Sequence, residues 1–317
     1  MNIHATRAQA KPPQPRFLMC PPRFFAVSYS INPWMNPADW AGSAENLHRQ
    51  AELQWNSLRR VIKGLGAEVD TLDPMPGLPD LVFTANAAVV LNGKAVLARF
   101  RHGERRDEEP VFDAAFQTLQ VRGLIDEIIE LPQDVTLEGA GDCIYDTRRD
   151  LLWLGCGFRS GAAAAEPIAE ALGLRCVPLP LADPRFYHLD TALCALPCGG
   201  VIYYPGAFTP AAFAALHEHV APGDRIELSQ ADAARFAANA VCVGRAIVLS
   251  NCGHGLRAKL ERRGYAVVET PLDIFQKSGG SACCLTLRLD HRSAAAAGAA
   301  EAIEAEPMPA KVAVAGR

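Results

Sequence analysis

A repeated arrangement of short apolar strands constrains the fold of this 317-residue chain more than any other feature. In each unit, small or polar residues precede an apolar strand, a turn and a second apolar strand, and the unit recurs about every 45 to 55 residues. The four clearest copies span residues 83–99, 141–154, 188–204 and 239–249. The first copy turns at Asn92-Gly93, which is a strong β-hairpin signal. A fifth copy, residues 283–289, is expected to pair with an N-terminal strand over residues 16–19.

Helical patterns separate these hairpins. Residues 44–65 place Leu47, Leu53, Leu58 and Ile62 at the spacing of one helical face. Amphipathic helices of this kind cover the outside of a sheet core. Further helices are predicted for residues 109–120, 161–172, 210–219 and 255–263. The expected architecture is an α/β fold in which repeated strand-strand-helix modules form a closed, five-bladed α/β-propeller with pseudo-fivefold symmetry.

The propeller is expected to form a single domain over residues 16–290. Residues 1–15 are polar and contain prolines, which predicts a mobile N-terminal tail. Residues 291–317 are rich in alanine and offer little large apolar surface to dock. They are predicted to form a disordered C-terminal tail.

Polar residues stand at equivalent strand starts in the five modules. Equivalent positions of a ring converge on its axis, so residues far apart in the sequence are expected to line one polar pocket. These residues are Asn86, Glu138 or Asp142, His188, Asn239 and Cys283.

Residues 278–289 have the composition of a nucleophile loop. Gly279 and Gly280 allow the backbone to approach a ligand closely, and the Leu-Thr-Leu-Arg-Leu alternation after the cysteines predicts an anchoring strand. A buried structural thiol is the alternative, since free cysteine is among the most buried residue types. Glycines are poor choices inside an ordinary core strand, which favours the nucleophile. Cys283 and Cys284 compete for this role, and the spacing after the glycines favours Cys283.

His188 and Asp190 supply a base and a carboxylate. Residues two apart in a strand share a face, so both side chains are expected to point into one pocket. Imidazole transfers protons near neutral pH, and a carboxylate holds a cation.

Four motifs, in this order, resemble the active-site segments of the guanidine-modifying superfamily with the pentein fold. They are Phe83-Thr84-Ala85-Asn86, Glu138-Gly139-Ala140-Gly141-Asp142, His188-Leu189-Asp190-Thr191 and Gly279-Gly280-Ser281-Ala282-Cys283. This superfamily includes arginine deiminase, dimethylarginine dimethylaminohydrolase, glycine amidinotransferase and agmatine deiminase. Residues 17–22 and 31–35 look most like the arginine dihydrolase domain of cyanobacterial arginine catabolism and related bacterial dimethylargininase-like proteins.

The resemblance implies the catalytic roles. Cys283 matches the family nucleophile, His188 its general acid/base, and Asp190 the carboxylate that holds the guanidinium. Glu138 is the match for the family's glutamate. An extra residue in this motif leaves Asp142 as an alternative.

The resemblance also implies how the substrate is recognised. Arg99 and Arg159 match arginines that bind the substrate α-carboxylate, with solvated surface arginines as the alternative. Asn86 stands where arginine deiminases and dimethylargininases carry an aspartate, and an amide tolerates neutral citrulline better than a carboxylate does. Asn32 is either a second amide of the pocket or a turn residue before Pro33.

The implied function is cysteine-dependent hydrolysis of arginine to ornithine, carbon dioxide and two molecules of ammonia, by way of citrulline. The alternatives are a dimethylarginine dimethylaminohydrolase or arginine deiminase that stops at citrulline, an amidinotransferase, and a non-catalytic ring-fold binding module. The implied mechanism needs no metal and no organic cofactor. The sequence leaves the preference among arginine, methylarginine and citrulline open.

Charge and cysteine usage exclude other classes of function. A net charge of −4 gives no electrostatic case for a nucleic-acid or membrane partner, and the apolar runs are too short to span a membrane. The ten cysteines contain no CxxC pair and the chain opens without a signal sequence, so reduced thiols in a cytoplasmic protein are expected. The expected partner is a small-molecule substrate, and the oligomeric state stays open.

Overall fold

The computed structural model describes residues 14–297, which form an α/β fold with five three-stranded sheets. The central strand of every sheet is antiparallel to one neighbour and parallel to the other. In chain order the strands are β1 Arg16–Met19, β2 Glu68–Thr71, β3 Ala88–Leu91, β4 Lys94–Leu97, β5 Glu127–Ile129, β6 Cys143–Asp146, β7 Leu151–Cys156, β8 Cys176–Pro180, β9 Leu193–Ala195, β10 Val201–Tyr203, β11 Arg225–Glu227, β12 Val241–Val243, β13 Ala246–Leu249, β14 Ala266–Glu269 and β15 Leu287–Arg288. The sheets are β15-β1-β2, β3-β4-β5, β6-β7-β8, β9-β10-β11 and β12-β13-β14.

Helices connect the parallel strands, because a parallel pair needs a crossover connection. The helices that begin and end within the described residues are α1 Pro37–Ala41, α2 Ala44–Gly64, α3 Gly103–Arg106, α4 Glu109–Val121, α5 Ala165–Leu172, α6 Pro210–His219, α7 Gln230–Ala234, α8 His254–Arg262 and α9 Asp273–Gln276. The five crossovers contain α2, α4, α5, α6 and α8, which agree with the five predicted helices to within a few residues. Between residues 14 and 297, no helix has the length and apolar character needed to cross a membrane.

The third strand of each module was not predicted. These strands are short, and β2 and β14 are only partly buried, so neither a long apolar run nor a clear alternation marks them. Each module is therefore strand-strand-helix-strand rather than strand-strand-helix.

The predicted pairing of the two ends of the domain is confirmed. Phe17 lies opposite Arg288 and Leu18 opposite Leu287 in the antiparallel pair of β1 and β15. The strand expected after the cysteines is shorter than predicted, because β15 contains two residues. Both cysteines instead lie in a turn, in which the Leu285 amide donates to the Ser281 carbonyl at 3.2 Å.

The long helix α2 shows how the core is packed. Trp55, Leu58 and Ile62 are buried in one cluster with Phe17 of β1. Each such side chain contributes roughly 1.5–3 kcal/mol by leaving water. Leu53, which was assigned to the same face, is 66% exposed, so the buried stripe is narrower than predicted.

The predicted tails fall mostly outside the described residues, which exclude 1–13 and 298–317. The predicted end of the domain at residue 290 is too early. Ser293 is buried and its amide donates to Asn92 Oδ1 at 2.7 Å, while the rings of His291 and Tyr145 meet edge to face at 5.4 Å. Residues 291–297 therefore belong to the packed domain.

Candidate active site

The candidate site is assembled from the turns that precede the first strand of each hairpin. Three of them are 3₁₀ turns, Thr84–Asn86, Gly139–Gly141 and Leu189–Thr191. His188 and Asp190 are therefore not in a strand, and the argument that placed them on one strand face is wrong. Both side chains are nevertheless buried at this point of the fold.

Gly141 allows two of these turns to meet. A Cβ atom at this position would lie 2.3 Å from Asn86 Nδ2 and 3.5 Å from His188 Nδ1. Contacts of 2.3 Å do not occur between real Cβ atoms and their neighbours, so any side chain here would push Asn86 away. Glycine thus permits the Asn86 amide to lie beside the His188 ring.

Cys284 is held by residues of three other modules. Its thiol donates a hydrogen bond to Asp190 Oδ2 at 3.1 Å, and Asn239 Nδ2 donates one to its sulfur at 3.0 Å. Its amide donates to Asn239 Oδ1 at 3.2 Å, and its carbonyl accepts from the Ala85 amide at 3.1 Å. The sulfur is thereby fixed against the carboxylate that was predicted to hold a guanidinium.

Cys283 lines a different space. It borders a separate cavity of about 140 Å³ together with Cys194 and Cys242. Burial and the nearby Asp190 both raise the pKa of the Cys283 thiol, but the hydrogen bond of 3.1 Å to Asp190 Oδ2 belongs to Cys284. The assignment of the nucleophile to Cys283 therefore needs correction, because successive side chains diverge in a turn and the glycine spacing does not determine which thiol faces the site.

Glu138 makes the closer contact with His188, whose Nε2 lies 4.0 Å from Asp142 Oδ2. Glu138 Oε2 lies 2.8 Å from His188 Nε2 and also accepts from Arg159 Nη1 at 2.8 Å. Asp142 Oδ2 accepts from Ser160 Oγ at 2.6 Å, and its other oxygen accepts from a backbone amide at 3.0 Å. Asp142 therefore fixes the backbone of two turns, and Glu138 orients the imidazole.

The two carboxylates that flank the site differ in charge. Burial alone would raise the pKa of Glu138, but Arg159 and His188 hold it well below its usual range. Burial raises the pKa of Asp190 to about 7, and the hydrogen bond from Cys284 offsets only part of that effect. Glu138 is thus already paired, whereas Asp190 is a buried acid that would ionise fully beside a cation.

One oxygen of Asp190 has no hydrogen-bond partner among the described residues. Its Oδ1 is buried and finds no hydrogen-bond partner in residues 14–297. Buried polar atoms are nearly always paired, so an orphaned oxygen next to a cysteine indicates a ligand position. A planar cation with N–H donors would satisfy it.

The thiol itself needs a positive neighbour. Burial raises the pKa of Cys284 well above its usual range, and the charge of Asp190 raises it further. The reactive thiolate therefore forms only when a cation or a proton acceptor lowers that pKa.

Two further buried residues, Arg105 and Glu108, were not predicted. Arg105 Nη1 donates to Asn86 Oδ1 at 2.9 Å, while its Nε and Nη2 donate to the two oxygens of Glu108 at 2.9 and 2.7 Å. Both belong to the run Arg101-His-Gly-Glu-Arg-Arg-Asp-Glu-Glu109, a pattern typical of a solvated surface. No sequence signal separates the buried pair from its exposed neighbours.

Arg99 does not reach this site, so its assignment to the substrate α-carboxylate needs correction. Its Nη2 donates to the Leu131 carbonyl at 3.0 Å, and its side chain borders another cavity with Glu109, Asp113 and Glu130. The arginine of this segment that lies in the site is six residues further along the chain.

Asn32 is a turn residue next to the loop that carries the cysteines. Its Oδ1 accepts from the Trp34 amide at 2.9 Å, and its Nδ2 donates to the Ser278 carbonyl at 3.0 Å. Arg159 Nη2 donates to the neighbouring Ile31 carbonyl at 3.1 Å. Both polar groups of Asn32 thus bind backbone, which favours the turn-residue alternative over a second amide of the pocket.

Comparison with known proteins identifies relatives over most of the chain. The family model for eukaryotic N,N dimethylarginine dimethylhydrolase matches residues 26–290. The chain is 43% identical over 278 residues to the bifunctional arginine dihydrolase/ornithine cyclodeaminase AgrE of Nostoc sp., a match that covers 86% of this chain and 38% of AgrE. It is 39% identical over 285 residues to the dimethylarginine dimethylaminohydrolase of Mycobacterium tuberculosis, covering 89% of this chain and 88% of that protein. The chain therefore spans less than half the length of the bifunctional relative.

A solved structure shows the same similarity. The N-terminal domain of ArgZ, an arginine dihydrolase from the ornithine-ammonia cycle in cyanobacteria, was determined bound to product. It matches with a TM-score of 0.82 at 42% identity, covering 88% of this chain and 99% of that domain.

Proposed function

Because this chain belongs to the N,N dimethylarginine dimethylhydrolase family, we propose that it hydrolyses the guanidino group of arginine with Cys284 as the nucleophile. The first product is citrulline, and a second round on bound citrulline gives ornithine, carbon dioxide and a second ammonia. The observation that carries the proposal is the orphaned, buried Oδ1 of Asp190, whose other oxygen binds the Cys284 thiol.

A guanidinium fits the requirements of this carboxylate. It is planar, cationic and rich in N–H donors, so it pairs with Asp190 Oδ1 and keeps the carboxylate ionised. Its positive charge also lowers the pKa of the adjacent Cys284 thiol. Binding of the substrate therefore prepares the nucleophile, and the carboxylate holds the reacting carbon near the sulfur.

The chemistry follows from the residues around the sulfur. The Cys284 thiolate bonds to the guanidino carbon, and the adduct breaks one C–N bond as His188 delivers a proton to the departing ammonia. An S-linked thiouronium is left on the enzyme. Water activated by His188 then adds to the same carbon and breaks the C–S bond, which releases citrulline. Glu138 keeps the imidazole oriented through both proton transfers.

Asn86 supports the second round. Citrulline is neutral, and its ureido oxygen accepts hydrogen bonds where a guanidinium only donates them. An amide offers the N–H that this oxygen needs, whereas a carboxylate would favour the cation alone. Relatives that carry the name arginine dihydrolase are 43% and 44% identical to this chain, which supports the same outcome here.

Two buried arginines are proposed to bind the substrate α-carboxylate. Arg159 lies beside Glu138 and stacks at 4.5 Å on the ring of Tyr187. Arg105 lies beside Asn86 and replaces Arg99 in this role. Each charge-assisted contact contributes roughly 1.5–3 kcal/mol to binding.

The finer architecture is part of the proposal. We place the five sheets around one axis as a closed α/β-propeller, with the substrate near that axis. The support is that turns from separate modules meet at Cys284, through Ala85, Asp190 and Asn239.

Dimethylarginine dimethylaminohydrolase is the second candidate. It is favoured by the family model and by the Mycobacterium tuberculosis relative, with which the match covers nearly all of both proteins. The same nucleophile and base would release dimethylamine instead of ammonia, and the reaction would end at citrulline.

One experiment separates the candidates. The purified protein is incubated with arginine, with asymmetric dimethylarginine and with citrulline, and the amino-acid products are identified by mass while ammonia is counted. Ornithine with two ammonia per arginine supports the dihydrolase. Citrulline formed from dimethylarginine alone, with arginine left unchanged, would replace it by the second candidate.

A further inference from the structure

We propose that the buried Arg105–Glu108 pair positions the Asn86 amide so that the reaction continues past citrulline. This inference rests on the proposed function and assigns a positioning role to Glu108. It starts from the hydrogen bonds of Asn86, which use both ends of the amide.

The amide has one orientation that its surroundings accept. Asn86 Oδ1 accepts from Arg105 Nη1 at 2.9 Å, and Asn86 Nδ2 donates to the Glu138 carbonyl at 3.2 Å. A rotation by half a turn would set the NH₂ group against the guanidinium and the oxygen against the carbonyl. Both contacts would then be repulsive, so Arg105 and the Glu138 backbone together fix the amide.

Asn86 Nδ2 and the imidazole of His188 both lie close to Gly141. The space above Gly141 is bounded by Asn86 Nδ2 and by His188 Nδ1. Nδ2 carries two hydrogens, and the Glu138 carbonyl takes one of them. The second N–H is suited to the ureido oxygen of citrulline, an acceptor that arginine lacks.

Glu108 holds Arg105 in place for this task. Its two carboxylate oxygens accept from Arg105 Nε and Nη2 at 2.9 and 2.7 Å, a bidentate arrangement that fixes the plane of the guanidinium. Glu108 is fully buried and Arg105 is 2% exposed. Glu108 itself bonds to Arg105 and not to Asn86, so its effect on the amide is transmitted through the arginine.

Loss of the Arg105–Glu108 contact should impair the hydrolysis of citrulline more than the hydrolysis of arginine. Loss of the bidentate contact with Glu108 lets the Arg105 guanidinium turn. The Asn86 amide can then rotate so that Oδ1, instead of Nδ2, faces the substrate. That orientation still accepts from the guanidinium of arginine but repels the ureido oxygen. Because Arg105 is also proposed to bind the α-carboxylate that arginine and citrulline share, both reactions should slow, and hydrolysis of citrulline should suffer more.

The test is the product ratio of Glu108→Gln, with Glu104→Gln as the matched control. Glu104 is exposed on α3, the helix that carries Arg105. Its substitution also removes one negative charge but leaves the contact between Arg105 and Glu108 intact. Citrulline and ornithine are quantified from arginine, and turnover of supplied citrulline is measured separately. Glu108→Gln should raise the citrulline-to-ornithine ratio roughly tenfold, the effect of one charge-assisted hydrogen bond, while Glu104→Gln leaves it unchanged.

Glu108→Asp tests the same pair if the glutamine variant does not fold. This variant retains the carboxylate but shortens the side chain by one methylene group. It should give a citrulline-to-ornithine ratio between those of the wild type and Glu108→Gln. In an Asn86→Ala background, a further Glu108→Gln change should leave the ratio unaltered, because residues that act through one contact are not additive.

The possible outcomes distinguish failure of this inference from failure of the proposed function. Equal losses of arginine consumption and ornithine formation in Glu108→Gln, without citrulline, would make Glu108 purely structural and overturn the inference alone. Additive effects in the double variant would do the same. A wild-type protein that makes no ornithine from arginine would overturn the proposed function, and this inference with it.

Discussion

Replacement of Asp190 by asparagine is expected to stabilise the protein at pH 8 while it removes the activity. Burial raises the pKa of Asp190 to about 7, from an ordinary value of 3.8, so an ionised Asp190 is costly in the folded state. The difference corresponds to about 4 kcal/mol of unfolding free energy at full ionisation. A neutral amide of the same shape avoids this cost but cannot hold a guanidinium.

The pH dependence follows from which state binds the proton more tightly. The folded protein protonates Asp190 below about pH 7, whereas the unfolded chain does so only below about pH 4. Between these values, lowering the pH therefore relieves the wild-type protein of its buried charge. Asp190→Asn should raise the unfolding free energy by about 4 kcal/mol at pH 8 and by about 2 kcal/mol at pH 5. Urea denaturation followed by tryptophan fluorescence measures both values.

Asp142→Asn is the matched control. Burial raises the pKa of Asp142 to about 6, but its oxygens accept from Ser160 and from the Leu189 amide. The substitution removes a buried charge but also an acceptor for one of these donors, so its gain in unfolding free energy at pH 8 should be smaller than that of Asp190→Asn. A destabilised Asp190→Asn at pH 8, or an equal gain at pH 5 and pH 8, would refute the view that Asp190 is a strained buried charge awaiting a cation.

Three further substitutions test the site. Cys284→Ser should abolish turnover and labelling by a haloacetamidine, whereas Cys283→Ser should keep most of both; the reverse result would restore the nucleophile predicted from the sequence. Arg159→Ala should lower kcat/KM for arginine roughly tenfold or more, the effect of one charged contact, and should lower it far less for agmatine, which lacks the α-carboxylate. Arg99→Ala should leave kcat/KM for both substrates unchanged. Gly141→Ala should lower kcat strongly because its methyl group would lie 2.3 Å from the Asn86 amide nitrogen and displace it; kinetics close to wild type would mean that this amide is free to move.

The sequence was sufficient for the elements whose signals are local. The hairpin turning at Asn92-Gly93 and the helices α2, α4 and α6 follow from turn chemistry and apolar periodicity, which neighbouring residues determine by themselves. The motifs around Asn86, His188 and Asp190 drew attention to these polar residues, although they were expected at the starts of strands and lie in or beside 3₁₀ turns. The parallel strands β2, β5, β8, β11 and β14 were not predicted, because their pairing depends on a crossover connection rather than on adjacent residues.

Tertiary structure alone decided which chemically similar neighbours enter the site. Cys283 and Cys284 are adjacent in a turn, and partners from distant modules, Asp190 and Asn239, select the second sulfur. Arg105 is buried by Glu108 and Asn86, although its own segment reads as a solvated charge run. Residue types and their order are properties of the chain, but the direction of a side chain in a turn and the burial of a charge depend on contacts between residues that only folding brings together.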